Sequence, residues 1–262
     1  MERLQVAVAT REFRQPLKRA IETAASLGAH GVSFDSSREV SSAEFTDTGR
    51  RQLLHFLDER GLRVASVDCP IRRPLYDERE LENRIAAIKS AMQLAFQLKC
   101  GVLSVRIGPI PKQDAGLSYD VLREVLNTLA RYGNRVGTIL AVTPSGGDPE
   151  ALLDVLQQVT EGPIGVNFDP AVYAMHGIDS LHALRTLHTF VSQFRVRDGV
   201  RDVEDQGVEV PVGRGEVEWD ALLPMLDDTS FEGWMCVERT AGDDRIGDCG
   251  RAIEFLKRVM LR

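Results

Sequence analysis

Carboxylates and guanidiniums recur at the ends of apolar segments along the second half of the chain. Thr138 to Ser145, Ile164 to Pro170, Phe190 to Gly199 and Gly233 to Thr240 each run apolar and finish in polar groups: Thr143, then Asp169, then Arg195 with Arg197 and Asp198, then Glu238. Arg106 ends an earlier segment of the same kind. If these are parallel strands, side chains at their C-terminal ends converge on one cavity. Alternation by two then puts Asn167 with Asp169, Arg195 with Arg197, Cys236 with Glu238, and Ser104 with Arg106 on common faces. Two carboxylates about 5 Å apart repel by about 3 kcal/mol at an effective dielectric near 20, so Asp169 and Glu238 need a cation between them. A divalent metal is one answer and arginine is the other. Convergent guanidinium forks suit carboxylate or phosphate oxygens, so Arg106, Arg195 and Arg197, joined by Arg72 and Arg73 after the apolar segment Arg63 to Asp68, suggest an anionic ligand such as a sugar phosphate or sugar acid. The same arginines can instead pair with Asp169, Asp198 or Glu238 and lock the strand ends.

The elements that would hold these groups alternate along the chain. Strands are predicted at Leu4 to Ala9, Gly31 to Asp35, Arg63 to Asp68, Val102 to Ile107, Thr138 to Val142, Ile164 to Phe168, Val191 to Val196 and Trp234 to Val237. Amphipathic helices are predicted at Pro16 to Leu27, Thr46 to Arg60, Glu78 to Leu98, Ser118 to Tyr132, Pro149 to Val159, Ser180 to Leu187, Glu218 to Leu226 and Arg245 to Leu261. Eight βα units close into an α/β barrel, a single (β/α)8 TIM barrel occupying residues 1–262. Asp148-Pro149-Glu150 reads as a helix start, and Gly28 and Gly61 read as helix stops. Gly213-Arg214-Gly215 lacks the third glycine of a dinucleotide fingerprint and reads as a turn. So does Ser145 to Asp148, where the N-cap carboxylate repels anions. The long connection Gly199 to Val217, carrying Asp202, Glu204, Asp205 and Glu209, reads either as a lid over the mouth or as a solvated acidic loop.

Composition narrows the function classes. The 262 residues carry 39 acidic and 32 basic side chains, a formal charge of -7 that disfavours nonspecific nucleic-acid binding. No apolar run approaches a membrane span, and the N-terminus lacks the apolar core of a signal peptide, so a cytoplasmic protein is expected, with neither nucleic acid nor membrane as partner. Cys69, Cys100, Cys236 and Cys249 are too widely spaced for a structural zinc site and read as buried small hydrophobes. Of the five histidines, His30, His55, His182 and His188 read as surface or packing residues. His176, soon after Asp169, is the candidate ligand or acid. Trp219 and Trp234 read as packing residues.

The series AVTPS, VNFDP, QFRVRDG, VGRGEVEW and WMCVERT resembles the xylose-isomerase-like TIM barrels, a superfamily of sugar isomerases, sugar 3-epimerases, inosose dehydratases and endonuclease IV. The resemblance implies a divalent metal, Mn, Mg, Co or Zn, held by Glu, Asp, His and Glu at the fifth to eighth strands. Carried over, Asp169 and Glu238 match as metal ligands, while the fifth- and seventh-strand positions fall on Thr143 and Arg195. A second histidine position falls on Val172. Threonine is a poor ligand and arginine stays protonated, so the standard site is incomplete and the expected cofactor is either none or a weakly held metal.

Two functions follow from the resemblance. One is a sugar isomerase or epimerase acting by proton transfer, with Glu238 as base, Asp169 orienting substrate or metal, and Arg195 polarising a carbonyl. Arg106, Arg197, Asp198, Thr143, Asn167 and His176 would then contact a small sugar, sugar phosphate or sugar acid. The other is a noncatalytic barrel that binds an anionic sugar or a protein partner. A DNA-repair endonuclease would need a histidine-rich metal cluster and a basic surface, and this chain has neither.

Overall fold

Strand after strand, one face carries large aliphatic residues and the other small or polar ones, and this asymmetry decides the architecture. The computed structural model describes residues 5–41, 46–112, 116–202 and 207–260. Eight parallel strands close in the order β1 (Gln5–Ala9), β10 (Trp234–Val237), β7 (Val191–Val196), β6 (Ile164–Phe168), β5 (Ile139–Thr143), β4 (Val102–Arg106), β3 (Arg63–Asp68) and β2 (Gly31–Asp35). Between them run α1 (Leu17–Ser26), α2 (Asp47–Asp58), α3 (Leu81–Gln97), α4 (Leu117–Val136), α5 (Pro149–Gln157), α7 (Ser180–Leu187), α8 (Trp219–Asp228) and α9 (Arg245–Met260). The predicted (β/α)8 TIM barrel is the observed fold. Predicted residues Leu4 and Leu261 lie outside the described set, as do Glu204 and Asp205.

The main core lies between barrel and helices, where Val6, Val8, Phe34, Leu103, Val142, Phe168, Phe194 and Met235 face outward from their strands. Inside the barrel the filling is different. Ala7, Ala65 and Cys236 cluster with Trp234, which opens β10, while Ala9 closes β1, and polar side chains fill the rest of the interior above them. Small residues below leave room in the upper half for arginines, which is how a barrel of ordinary size holds so many charges.

Local signals set most helix limits. Asp148 accepts a hydrogen bond from the Glu150 N–H at 3.1 Å, with Pro149 at the first helical position of α5. Gly28 and Gly61 take φ of +75° and +65° just past α1 and α2. The fourth helix runs on to Val136, past the expected Tyr132. It passes through Gly133, where a Cβ would strike the Thr138 carbonyl and the Met92 methyl.

Two elements were not anticipated. A short α6 (Pro170–Met175) follows β6 directly, with Pro170 at its first turn. The long connection after β7 holds an antiparallel pair, β8 (Asp198–Val200) with β9 (Val208–Val210), which the periodicity did not mark. The four cysteines are buried and unpaired. Among the described residues no helix is long and apolar enough to cross a membrane.

Candidate functional site

At the C-terminal end of the barrel, two arginines and two carboxylates form a closed ring of ion pairs. Arg195, from β7, donates one nitrogen to Glu238 Oε2 and the other to Asp68 Oδ1 at 2.8 Å. Arg11, just after β1, donates to the other Glu238 oxygen, Oε1, and lies 3.5 Å from the other Asp68 oxygen, Oδ2. Each carboxylate therefore meets a different guanidinium on each oxygen. The ring is almost shut off from water: Arg195, Glu238 and Asp68 side chains are 8%, 1% and 9% exposed, and Arg11 18%. Burial alone would raise the Glu238 pKa, but Arg195, Arg11 and Arg197 outweigh it and hold the carboxyl well below its usual range. Burial would likewise lower the pKa of Arg195, and Glu238 and Asp68 hold it up.

A second chain of charges adjoins the ring. Arg197 donates Nη1 to Asp169 Oδ2 at 2.5 Å and Nη2 to Glu209 Oε2 at 2.7 Å. Glu209, on β9, also accepts from Arg239 Nη1 at 3.1 Å, from the Thr240 N–H at 2.8 Å and from the Thr240 hydroxyl. Arg239 in turn holds Asp248, on α9, at 3.0 Å. Three fully buried atoms here have no partner among the described residues: Asp169 Oδ1, Arg197 Nε and Asn167 Oδ1.

Beneath the charges runs a belt of neutral polar groups. Asn167 Nδ2 donates to Ser104 Oγ at 3.0 Å and to Thr143 Oγ1 at 3.3 Å, and Ser104 donates to Gln193 Oε1 at 3.0 Å. Gln193 Nε2 donates to Ser66 Oγ at 2.6 Å; Ser66 and Ser33 hydroxyls meet at 2.7 Å, and Ser33 reaches Asp68 at 3.2 Å. The expected inward faces are thus the observed ones, since these bonds cross the barrel.

The remaining predicted residues are placed apart. Arg106 reaches the mouth, donates only to the Pro144 carbonyl at 3.2 Å, and has no carboxylate partner among the described residues. Lost hydration lowers its pKa most, and Arg195 and Arg197 lower it further, against the pull of Asp169 and Glu238. Asp198 points away into the segment that follows. It accepts from the Gly199, Gly213 and Val217 N–H groups at 2.9, 2.8 and 3.2 Å and from Trp219 Nε1 at 2.9 Å, so its oxygens are filled. His176 is exposed, bonds back to the Val172 carbonyl at 2.7 Å and rests on Gly146, where a Cβ would meet the ring at 2.7 Å. Arg73 pairs with Asp77 at 3.2 Å.

The donor set does not fit the metal site that the resemblance implies. Asp169 and Glu238 both face guanidiniums, Thr143 is bonded to Asn167, and Arg195 has no lone pair to offer. Among the described residues no group of three or more His, Cys, Asp or Glu is arranged to hold a metal. Glu238 instead receives positive charge from Arg195 and Arg11.

Sequence reasoning missed Arg11, Asp68 and Arg239, and placed Glu209 only among the acids of the connection after the seventh strand. A signal existed for Asp68: SFD and SVD end β2 and β3 as VNFD ends β6. No comparable signal marks Arg11, which follows a strand ending in alanine.

A family model described as xylose isomerase-like TIM barrel matches residues 21–259. Among proteins of curated function, none matches the chain in sequence. Solved structures with the same fold include a xylose isomerase domain protein from Planctomyces limnophilus (TM-score 0.87, 21% identity, covering 98% of this chain and 97% of that one). A xylose isomerase-like TIM barrel protein from Mycobacterium smegmatis, in complex with magnesium, has TM-score 0.77, 14% identity and coverage of 98% and 96%. The D-psicose 3-epimerase from Clostridium cellulolyticum H10, solved with D-tagatose, has TM-score 0.78, 15% identity and coverage of 98% and 99%.

Proposed function

Because the chain belongs to the xylose isomerase-like TIM barrel family, we propose that its mouth receives a small anionic carbohydrate, a sugar acid or sugar phosphate, without a metal and without the proton transfer expected of an isomerase. The observation that carries this reading is the closed ring of Arg11, Asp68, Arg195 and Glu238. It commits Glu238 to two cations, and a carboxylate held so far below its usual pKa is a poor proton acceptor. Among the described residues Arg106 has no carboxylate partner, and it lies beside two further arginines, which favours an incoming anion.

Isothermal calorimetry with gluconate, 6-phosphogluconate and glucose tests the binding. The acids should bind and glucose should not, and Arg106→Ala should weaken the acids by about tenfold or more, as expected for loss of a charge-assisted contact. Equal affinity for acid and neutral sugar would sink the reading.

A second reading retains an isomerase or epimerase, with Glu238 as base, Asp169 orienting substrate and Arg195 polarising a carbonyl. The unpartnered Asp169 Oδ1 and Asn167 Oδ1 favour it, because hydroxyl groups of a substrate would satisfy both. It requires Arg11 to leave Glu238. Proton NMR in deuterium oxide separates the two readings: washing deuterium into a carbon-bound position of a ketose or ketose acid would establish turnover.

A further inference from the structure

The β9 carboxylate of Glu209 sits in a pocket of donors that belongs to the barrel and not to its own hairpin. Its Oε2 accepts from Arg197 Nη2 and the Thr240 hydroxyl, and its Oε1 from Arg239 Nη1 and the Thr240 N–H. Arg197 directly follows β7, and Arg239 and Thr240 follow β10, so every donor comes from outside the β8–β9 pair. The side chain is only 6% exposed although its backbone is on a surface hairpin. Two guanidiniums, a backbone N–H and a hydroxyl around one carboxylate make a full carboxylate-binding site.

The fit is incomplete in one respect. Arg197 Nε, fully buried, has no partner among the described residues, while its neighbour Nη2 holds Glu209. Nε and Nη2 form the side fork of a guanidinium, which pairs with both oxygens of a carboxylate that is free to turn. Glu209 is fixed in β9, which pairs with β8, and spends its other oxygen on Arg239 and Thr240. A carboxylate without that tether could take the fork.

We infer that Arg197, Arg239 and Thr240 form the binding site for the carboxylate of a small organic acid, and that Glu209 occupies this site as an intramolecular stand-in that the ligand displaces. None of the three belongs to the Arg11 ring, and Arg197 is one of the arginines whose charge acts on Arg106, so an acid drawn in by Arg106 meets this site. The inference rests on the proposed function only for the sugar portion of the ligand.

The test compares wild type, Glu209→Ala and Glu209→Gln, using acetate and gluconate against chloride at equal ionic strength. If Glu209 fills the site nine-tenths of the time, its removal lowers the apparent gluconate dissociation constant about tenfold. Acetate should raise the melting temperature of Glu209→Ala at about tenfold lower concentration than wild type needs for the same shift; Glu209→Gln serves where the alanine variant does not fold. Gluconate affinity unchanged by either substitution, with no response to acetate, overturns the inference and leaves the sugar reading intact. A response of the variants to acetate with no gluconate binding by any of the three proteins supports the site and overturns the sugar reading.

Discussion

At the scale of single residues, the Arg11–Asp68–Arg195–Glu238 ring is neutral as a whole and costly in any fragment. Removing one member leaves buried charge uncompensated, which destabilises by about 3–5 kcal/mol. Arg195→Met should lower unfolding free energy by that amount in urea titrations, and adding Glu238→Gln should restore part of the loss, since the two changes couple. A cost below about 1 kcal/mol would mean that the ring is not held as described. Glu39 gives a pH test at the edge of the same site. It accepts from the Thr10 hydroxyl at 2.7 Å and the Asp35 N–H at 2.8 Å, and burial pushes its pKa from 4.5 up to about 7. The folded protein therefore holds the proton over a range where the unfolded chain has released it, so this residue's contribution falls as pH rises from about 4.5 to 7. Glu39→Gln should gain stability relative to wild type across that window, by up to about 3 kcal/mol, as followed by thermal unfolding at pH 5 and pH 8.

At the scale of elements, Asp198 governs the segment between β7 and α8. It looked in sequence like a further mouth carboxylate, being next to Arg197, but the inward face of β7 takes 193, 195 and 197 and leaves 198 pointing out of the barrel. Its two oxygens draw Gly199, Gly213, Val217 and Trp219 together, tying the start of the β8–β9 hairpin to the start of α8. Asp198→Ala leaves buried donors unpaired and should cost about 3 kcal/mol. Hydrogen exchange at the Gly213 and Val217 amides should speed up while β7 amides stay protected. Equal acceleration throughout the barrel would instead mean that Asp198 supports the whole fold. Periodicity placed the eight barrel strands to within a residue or so, because each alternates or runs apolar over its full length. The hairpin and α6 escaped because three to six residues give too little pattern to separate strand from loop.

At the scale of the molecule, the residues at the mouth do not fit the metal site expected from the resemblance, and that misfit can be tested on the purified protein. Manganese, cobalt, zinc or magnesium should shift its melting temperature by less than about 1 °C, because a ligand that does not bind the native state cannot stabilise it. Thr143→Glu combined with Arg195→His should create manganese-dependent stabilisation; stoichiometric metal in wild type would overturn this account. The sequence by itself determined the barrel and the inward faces of its strands, since both are written in local periodicity and residue type. Only the tertiary structure decided who pairs with whom. Arg11, Asp68, Arg195 and Glu238 lie on four different strands or their loops, up to 227 positions apart, and Glu209 arrives from a hairpin with no readable pattern. Charge pairing depends on distance and burial after the barrel has closed, and no spacing along the chain encodes either.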